Sequence, residues 1–167
     1  MKISGRNLRR RLQLLGNRLS RAKHYRGYGV HSPFVYGVVR KVFMRKSLFE
    51  GSGLEPYDSL RVEGLSERTS RQLHNLYVYV EAKSFAINSV GGELSILLEN
   101  YPTERLNEAY AEAKKGAVTL VVCQPYANRE RQNAVKALLE EHTSTTIDNR
   151  AYIIFFNNYL PKQHYCL

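Results

Sequence analysis

Three groups of residues in this chain have types and spacing suited to chemistry. The first is Ser89-Val-Gly91-Gly92 with Glu93 behind it. A glycine pair leaving a strand can turn the backbone toward an anion, and a following helix N-terminus would add its dipole. The second is Cys123, at the end of the run Ala117–Cys123. Ligand sites of α/β folds open at strand C-termini, so a thiol there is placed as a nucleophile. The third lies near the start: Arg9, Arg10, Arg11, Arg18, Arg21, Lys23 and Arg26, with Tyr25 and Tyr28 flanking Arg26. Guanidinium groups neutralise phosphates and tyrosine rings stack on bases.

Each group also has a plainer use. A lone glycine pair lacks the full dinucleotide fingerprint and reads as a simple strand-to-helix turn. No histidine lies close to Cys123 in sequence to activate it, so it reads as a small buried hydrophobe. The five histidines show no i,i+3 or i,i+4 pairing, and Cys123 and Cys166 lack metal-ligand spacing. No metal site is expected on that basis. The arginines of the arm serve solubility equally well if its leucines dock on the domain.

Charge is segregated along the chain. Met1–Phe49 holds 13 Lys or Arg residues and no Asp or Glu; the remainder holds 12 basic and 15 acidic residues, so +13 and −3 make the net +10. An acid-free arm of that length suits a polyanion such as nucleic acid or anionic lipid. A lipid surface is the weaker match, because the first 33 residues contain no Trp or Phe anchor. The longest apolar runs are too short to span a bilayer, and no secretory signal is read at the start. Two cysteines make no disulfide framework, which places the expected location in the cytoplasm.

The elements that must position these groups follow from periodicity and caps. Leu8, Leu12, Leu15 and Leu19 predict an amphipathic helix over 4–22. Ser32 and Pro33 open a second helix, with Phe34, Val35, Val38, Val39, Val42 and Phe43 as its apolar face. Gly51, Gly53, Pro56, Asp58 and Gly64 predict a loop over 51–64. Ser66 caps a helix to about Ala82. Then come a strand at 84–88, a helix from Glu93, a short helix from Pro102 to about Lys115, and a strand at 117–123. A helix at 127–142 and a hairpin of strands at 143–148 and 151–157 complete the pattern. This alternation predicts an α/β fold with a mostly parallel sheet, N-terminal helices and a C-terminal antiparallel hairpin at the sheet edge. The division is a basic helical region at 1–49, a loop at 50–65 and an α/β domain at 66–167.

Two stretches carry a resemblance: His31-Ser-Pro-Phe-Val-Tyr36, and Phe155-Phe156 with Pro161-Lys-Gln-His-Tyr165. They resemble the opening and closing signatures of class I S-adenosylmethionine-dependent methyltransferase-like proteins of Bacteroides and its relatives. The resemblance implies a Rossmann-like sheet whose first strand ends in an acidic residue and a glycine-rich turn holding the cofactor. Here Ala86 stands at the acidic position, Asn88 at the first glycine, and only Gly92 is kept. The acid expected about 20 residues on has no match beyond Glu104 and Glu108, which read as surface positions. Paired acids near the transferred methyl group are replaced by Cys123-Gln124.

The resemblance therefore implies a reduced methyltransferase-like scaffold that has lost S-adenosylmethionine binding and catalysis. Ser89, Gly91, Gly92 and Glu93 are its vestigial cofactor positions; no cofactor is expected unless that site survives. Two alternatives stand beside this reading. One is an active methyltransferase with an atypical site. The other is a nucleic-acid-binding module that uses Arg9 to Tyr28. The open edge of a shortened sheet also leaves room for a second copy, a homodimer.

Overall fold

The computed structural model describes residues 30–50 and 53–167. The helix expected over 4–22 and the turn up to residue 29 lie outside them. Ser32 caps the first helix as expected: its Oγ accepts from the Val35 N–H at 3.3 Å, and Pro33 takes the first turn. This helix, α1 (Pro33–Gly37), continues as a π-helical turn, Val38–Phe43. Val35, Val38 and Val42 are fully buried on its inner face.

Residues 55–62 form a helix, α2 (Glu55–Val62), which corrects the expected loop over 51–64. Pro56 sits in the first turn, where its missing N–H costs nothing, and Glu55 and Asp58 complement the positive end of the helix dipole. Leu60 is buried, and Gly64 leaves the helix at φ +84°. Ser66 then caps α3 (Glu67–Tyr79), accepting from the Thr69 N–H. Two buried amides of α3 bind the preceding segment. Gln72 Nε2 donates to Phe43 O at 3.1 Å, and Asn75 Nδ2 donates to Ser47 O at 3.0 Å. Tyr152 OH donates to Gln72 Oε1 at 3.2 Å, so one side chain ties N-terminal segment, helix and sheet.

Among the described residues the sheet has six strands: β1 (Phe85–Ile87), β2 (Leu94–Leu97), β3 (Thr119–Cys123), β4 (Thr145–Asp148), β5 (Tyr152–Phe155) and β6 (Gln163–Cys166). Their order is β1-β2-β3-β5-β4-β6, and only β5 runs antiparallel to its neighbours. Two expectations are corrected here. The hairpin is not the edge: β5 lies inside, between β3 and β4, and β6 closes the sheet beyond β4. The helix expected from Glu93 is instead β2. Leu94-Ser-Ile-Leu97 is buried throughout and pairs in parallel with β1 and β3, so this short apolar run is a core strand.

The β1–β2 connection is therefore short. Residues 88 to 93, six in all, join two parallel strands without a helix. Parallel pairs ordinarily need a crossover of about a dozen residues or more. Gly92 makes the tight return feasible, because a Cβ there would come within 2.7 Å of the Phe85 backbone.

Helices α4 (Leu106–Lys115) and α5 (Arg129–Glu141) cover the other face. Alternation along the strands feeds two cores. Ile96, Val121, Ile147, Ile154 and Phe156 meet α1, α2 and α3. Leu97, Leu120, Val122, Ile153 and Phe155 meet α4 and α5. The result is a three-layer α/β/α arrangement with a mixed sheet.

Candidate functional site

In such a fold the carboxyl ends of the parallel strands are the place to look for a site. A cleft of about 360 Å³ opens there, at the small end of the roughly 300–1,000 Å³ usual for ligand pockets. Leu98, Glu99 and Asn100 follow β2 on one side, and Cys123, Gln124 and Ala151 form another. Ser66 and Thr69, at the capped start of α3, and Glu63 complete the rim.

Beneath it lies the most buried cation of the described residues. Arg131 on α5 is 1% exposed. Its Nη2 donates to Leu98 O at 2.7 Å and Cys123 O at 3.1 Å, Nη1 to Tyr101 O at 2.9 Å, and Nε to Cys123 O at 3.3 Å. Burial lowers its pKa, while Cys123 and the Glu99 carboxylate oppose that. The guanidinium stays charged and locks together the loops after β2 and β3. Asn128 sets this up by capping α5, its Oδ1 accepting from the Arg131 N–H at 2.8 Å.

Cys123 lines the cleft but is 5% exposed, and burial pushes its thiol up to about 12, with Arg131 opposing. It is a thiol at neutral pH, unsuited to nucleophilic attack. Gln124 is exposed and held at φ +47°, a left-handed conformation that costs a non-glycine residue on the order of 1 kcal/mol. Its N–H donates to Ala151 O at 2.8 Å.

The glycine turn does not join this cleft. Asn88, at φ +54°, is the part that reaches the carboxyl ends: its Oδ1 accepts from the Leu98 N–H and its Nδ2 donates to Asn100 Oδ1, both at 2.9 Å. Ser89 is exposed and its Oγ lies 3.5 Å from Ile87 O. Gly91 is exposed, and Gly92 is packed over Phe85 at the other end of the sheet. Glu93 accepts from the Lys83 N–H at 3.0 Å and leads into β2, so no helix N-terminus stands behind the turn. Arg9, Arg10, Arg11, Arg18, Arg21, Lys23, Tyr25, Arg26 and Tyr28 lie outside the described residues. Glu104 and Glu108 are exposed on the surface, as expected.

Comparison of the chain with protein-family models, with curated proteins and with solved structures finds no match in any of the three.

A third group of ligand-type side chains lies on β4 and β6. Asp148 on β4 and His164 and Cys166 on β6 each present a ligand-type atom, and all three atoms lie within 4.8 Å of one another. His164 and Cys166 are two apart on one strand, so they share a face. The pairing of Asp148 with Cys166 brings in the third. Cys166 Sγ is 3.3 Å from His164 Nε2. An i,i+2 pair lies outside the helical spacings i,i+3 and i,i+4, and Gln163–Cys166 is too short and polar to predict a strand. A second cleft, of about 350 Å³ between Pro56 and Tyr77, lies on the outer helical layer away from these groups.

Proposed function

We propose that this chain is a methyltransferase-like scaffold that has lost S-adenosylmethionine binding and methyl transfer. The observation that carries this reading is the direct return from β1 to β2. A Rossmann-like cofactor site rests on a strand, a glycine-rich turn and a helix whose N-terminus faces the ligand. Here residues 88–93 lead straight into β2. The Asn88 amide spans the strand tips where a glycine would leave room for the cofactor backbone contact.

A full cofactor site should hold S-adenosylmethionine at micromolar levels, about 8 kcal/mol. Charge-assisted hydrogen bonds contribute roughly 1.5–3 kcal/mol each, so losing several removes most of that affinity. Calorimetric titration with S-adenosylmethionine and S-adenosylhomocysteine should give no saturable heat. One-to-one binding in the low micromolar range would overturn the proposal.

The active-enzyme alternative draws on one specific feature. Glu63 and Glu99 both line the carboxyl-end cleft and supply carboxylates from new positions. On that reading S-adenosylmethionine binds, and Glu99→Gln abolishes the binding.

A further inference from the structure

We propose that Asp148, His164 and Cys166 form a binding site for a divalent transition metal of the Zn²⁺ type. One thiolate, one imidazole and one carboxylate make a donor set suited to Zn²⁺, whose bonds to S, N and O run about 2.0–2.3 Å. Tetrahedral geometry with such bonds puts neighbouring ligand atoms about 3.5 Å apart. The Sγ–Nε2 pair already stands at 3.3 Å and all three atoms lie within 4.8 Å, so contraction by about 1 Å completes the set.

The surroundings hold each ligand in a suitable state. His164 Nδ1 lies 2.7 Å from Thr146 Oγ1, whose hydroxyl is directed at Gln163 O at 3.5 Å. Either atom can donate across the 2.7 Å contact; in the tautomer with Nδ1–H donating to the hydroxyl oxygen, Nε2 carries the lone pair that a metal takes. An imidazole oriented through its second nitrogen is the usual outer-shell arrangement of metal histidines. Asp148 Oδ1 accepts from the Arg150 N–H at 2.7 Å and Oδ2 from the Tyr126 hydroxyl, which fixes the carboxylate. Cys166 would lose its S–H proton to solvent as the metal–sulfur bond forms, so binding releases a proton. Asp148 and the Cys166 thiolate together carry two negative charges, which Zn²⁺ neutralises beside a buried carboxylate.

His164 is exposed and Cys166 partly so, which leaves the fourth position facing solvent. A Cys–His nucleophile pair would need a substrate cleft beside it, and neither cleft described above is lined by His164 or Cys166.

The test is titration of the purified, metal-stripped full chain with Zn²⁺ in two buffers of different ionisation heat, and with Co²⁺ by absorption spectroscopy. The expected result is one Zn²⁺ per chain, a proton released on binding, and a Co²⁺ spectrum with thiolate charge transfer and tetrahedral d–d bands. Thr146→Val should weaken Zn²⁺ by about 10–100-fold through the imidazole it orients. Cys166→Ser and His164→Gln should each weaken it more, and the circular dichroism spectrum should stay unchanged because neither side chain is in the core. Absence of binding, a Co²⁺ spectrum without the thiolate band, or affinity unaltered in both ligand variants would overturn the assignment.

Discussion

The Arg131 guanidinium meets the Cys123 carbonyl through two of its nitrogens, Nε at 3.3 Å and Nη2 at 3.1 Å. The same side chain reaches Leu98 O and Tyr101 O. Three carbonyls, two from the loop after β2 and one at the end of β3, thus meet one buried cation. Arg131→Met should strip the charged donor from Tyr101 O and Cys123 O beneath the cleft, while Leu98 O keeps the Tyr101 N–H at 3.2 Å, and cost about 3–5 kcal/mol. Arg131→Lys should recover only part of this, since an ammonium lacks the planar fork that serves three acceptors. Urea denaturation midpoints check both, and a loss below 1 kcal/mol for the methionine variant would refute the bracing role.

Phe155 and Phe156 are adjacent in sequence and buried in different cores, Phe155 against Tyr110 and His142, and Phe156 against Phe34. Replacing either with Ala should cost about 3–5 kcal/mol. The two losses should add to within about 0.5 kcal/mol, because the backbone sheet separates the cavities. A strongly non-additive double variant, again by urea denaturation, would mean that the two cores communicate.

His142 gives the fold an acid sensitivity. Its Nδ1 is 3.0 Å from Tyr110 OH, and the residue is 1% exposed. Burial holds its pKa below the ordinary 6.5; the backbone of Thr145 and Phe156 opposes this, and Lys114 and Lys162 add to it. The unfolded chain takes up this proton at a higher pH than the folded one. The contribution to stability is therefore present above about pH 6.5 and falls as pH drops toward the folded value. His74, lowered mainly by burial, acts in the same direction. Stability measured between pH 8 and pH 5 should decline, and His142→Gln should flatten part of that decline. An unchanged pH profile in the variant would exclude His142 as a source.

The arginine-rich arm predicts a salt dependence. If Arg9 to Arg26 engage nucleic acid, four to six phosphate contacts give a slope of log affinity against log salt of roughly −3 to −5. Replacing Arg9, Arg10 and Arg11 with Gln should lower affinity and flatten the slope. Tyr25→Ala and Tyr28→Ala should weaken single-strand binding at nearly constant slope, since stacking releases no counterions. Fluorescence anisotropy across a salt series reads both effects. Weak binding indifferent to the arginine substitutions would assign the charge to solubility.

Much of this architecture is legible in the sequence where local signals agree. Ser32 and Ser66 mark helix starts that the backbone adopts, and the β-branched run before Cys123 is the central strand. Signals conflict at Leu94–Leu97, where four apolar residues suit a strand or a helix turn and pairing on both sides decides. Pro56 among Gly51, Gly53 and Gly64 predicts a break, yet proline also opens helices, as it does here. The cluster at β4 and β6 was out of reach for a different reason. Asp148 meets Cys166 only through strand register, which no local pattern encodes.

The abrupt return after Ile87 also alters how the chain finds its shape. Phe85 pairs with Leu94, nine positions on, whereas a parallel pair joined through a helix closes a loop of about 30 residues. Loop-closure entropy rises by about 0.6 kcal/mol per doubling, so the shorter span relieves the search of about 1 kcal/mol. Contacts this local form early, as in proteins of low contact order. The β1–β2 corner can therefore assemble before β3 arrives, leaving the slow, long-range steps to the union of β2 with β3, where Leu94 meets Thr119, and of β3 with β5, where Leu120 meets Phe155.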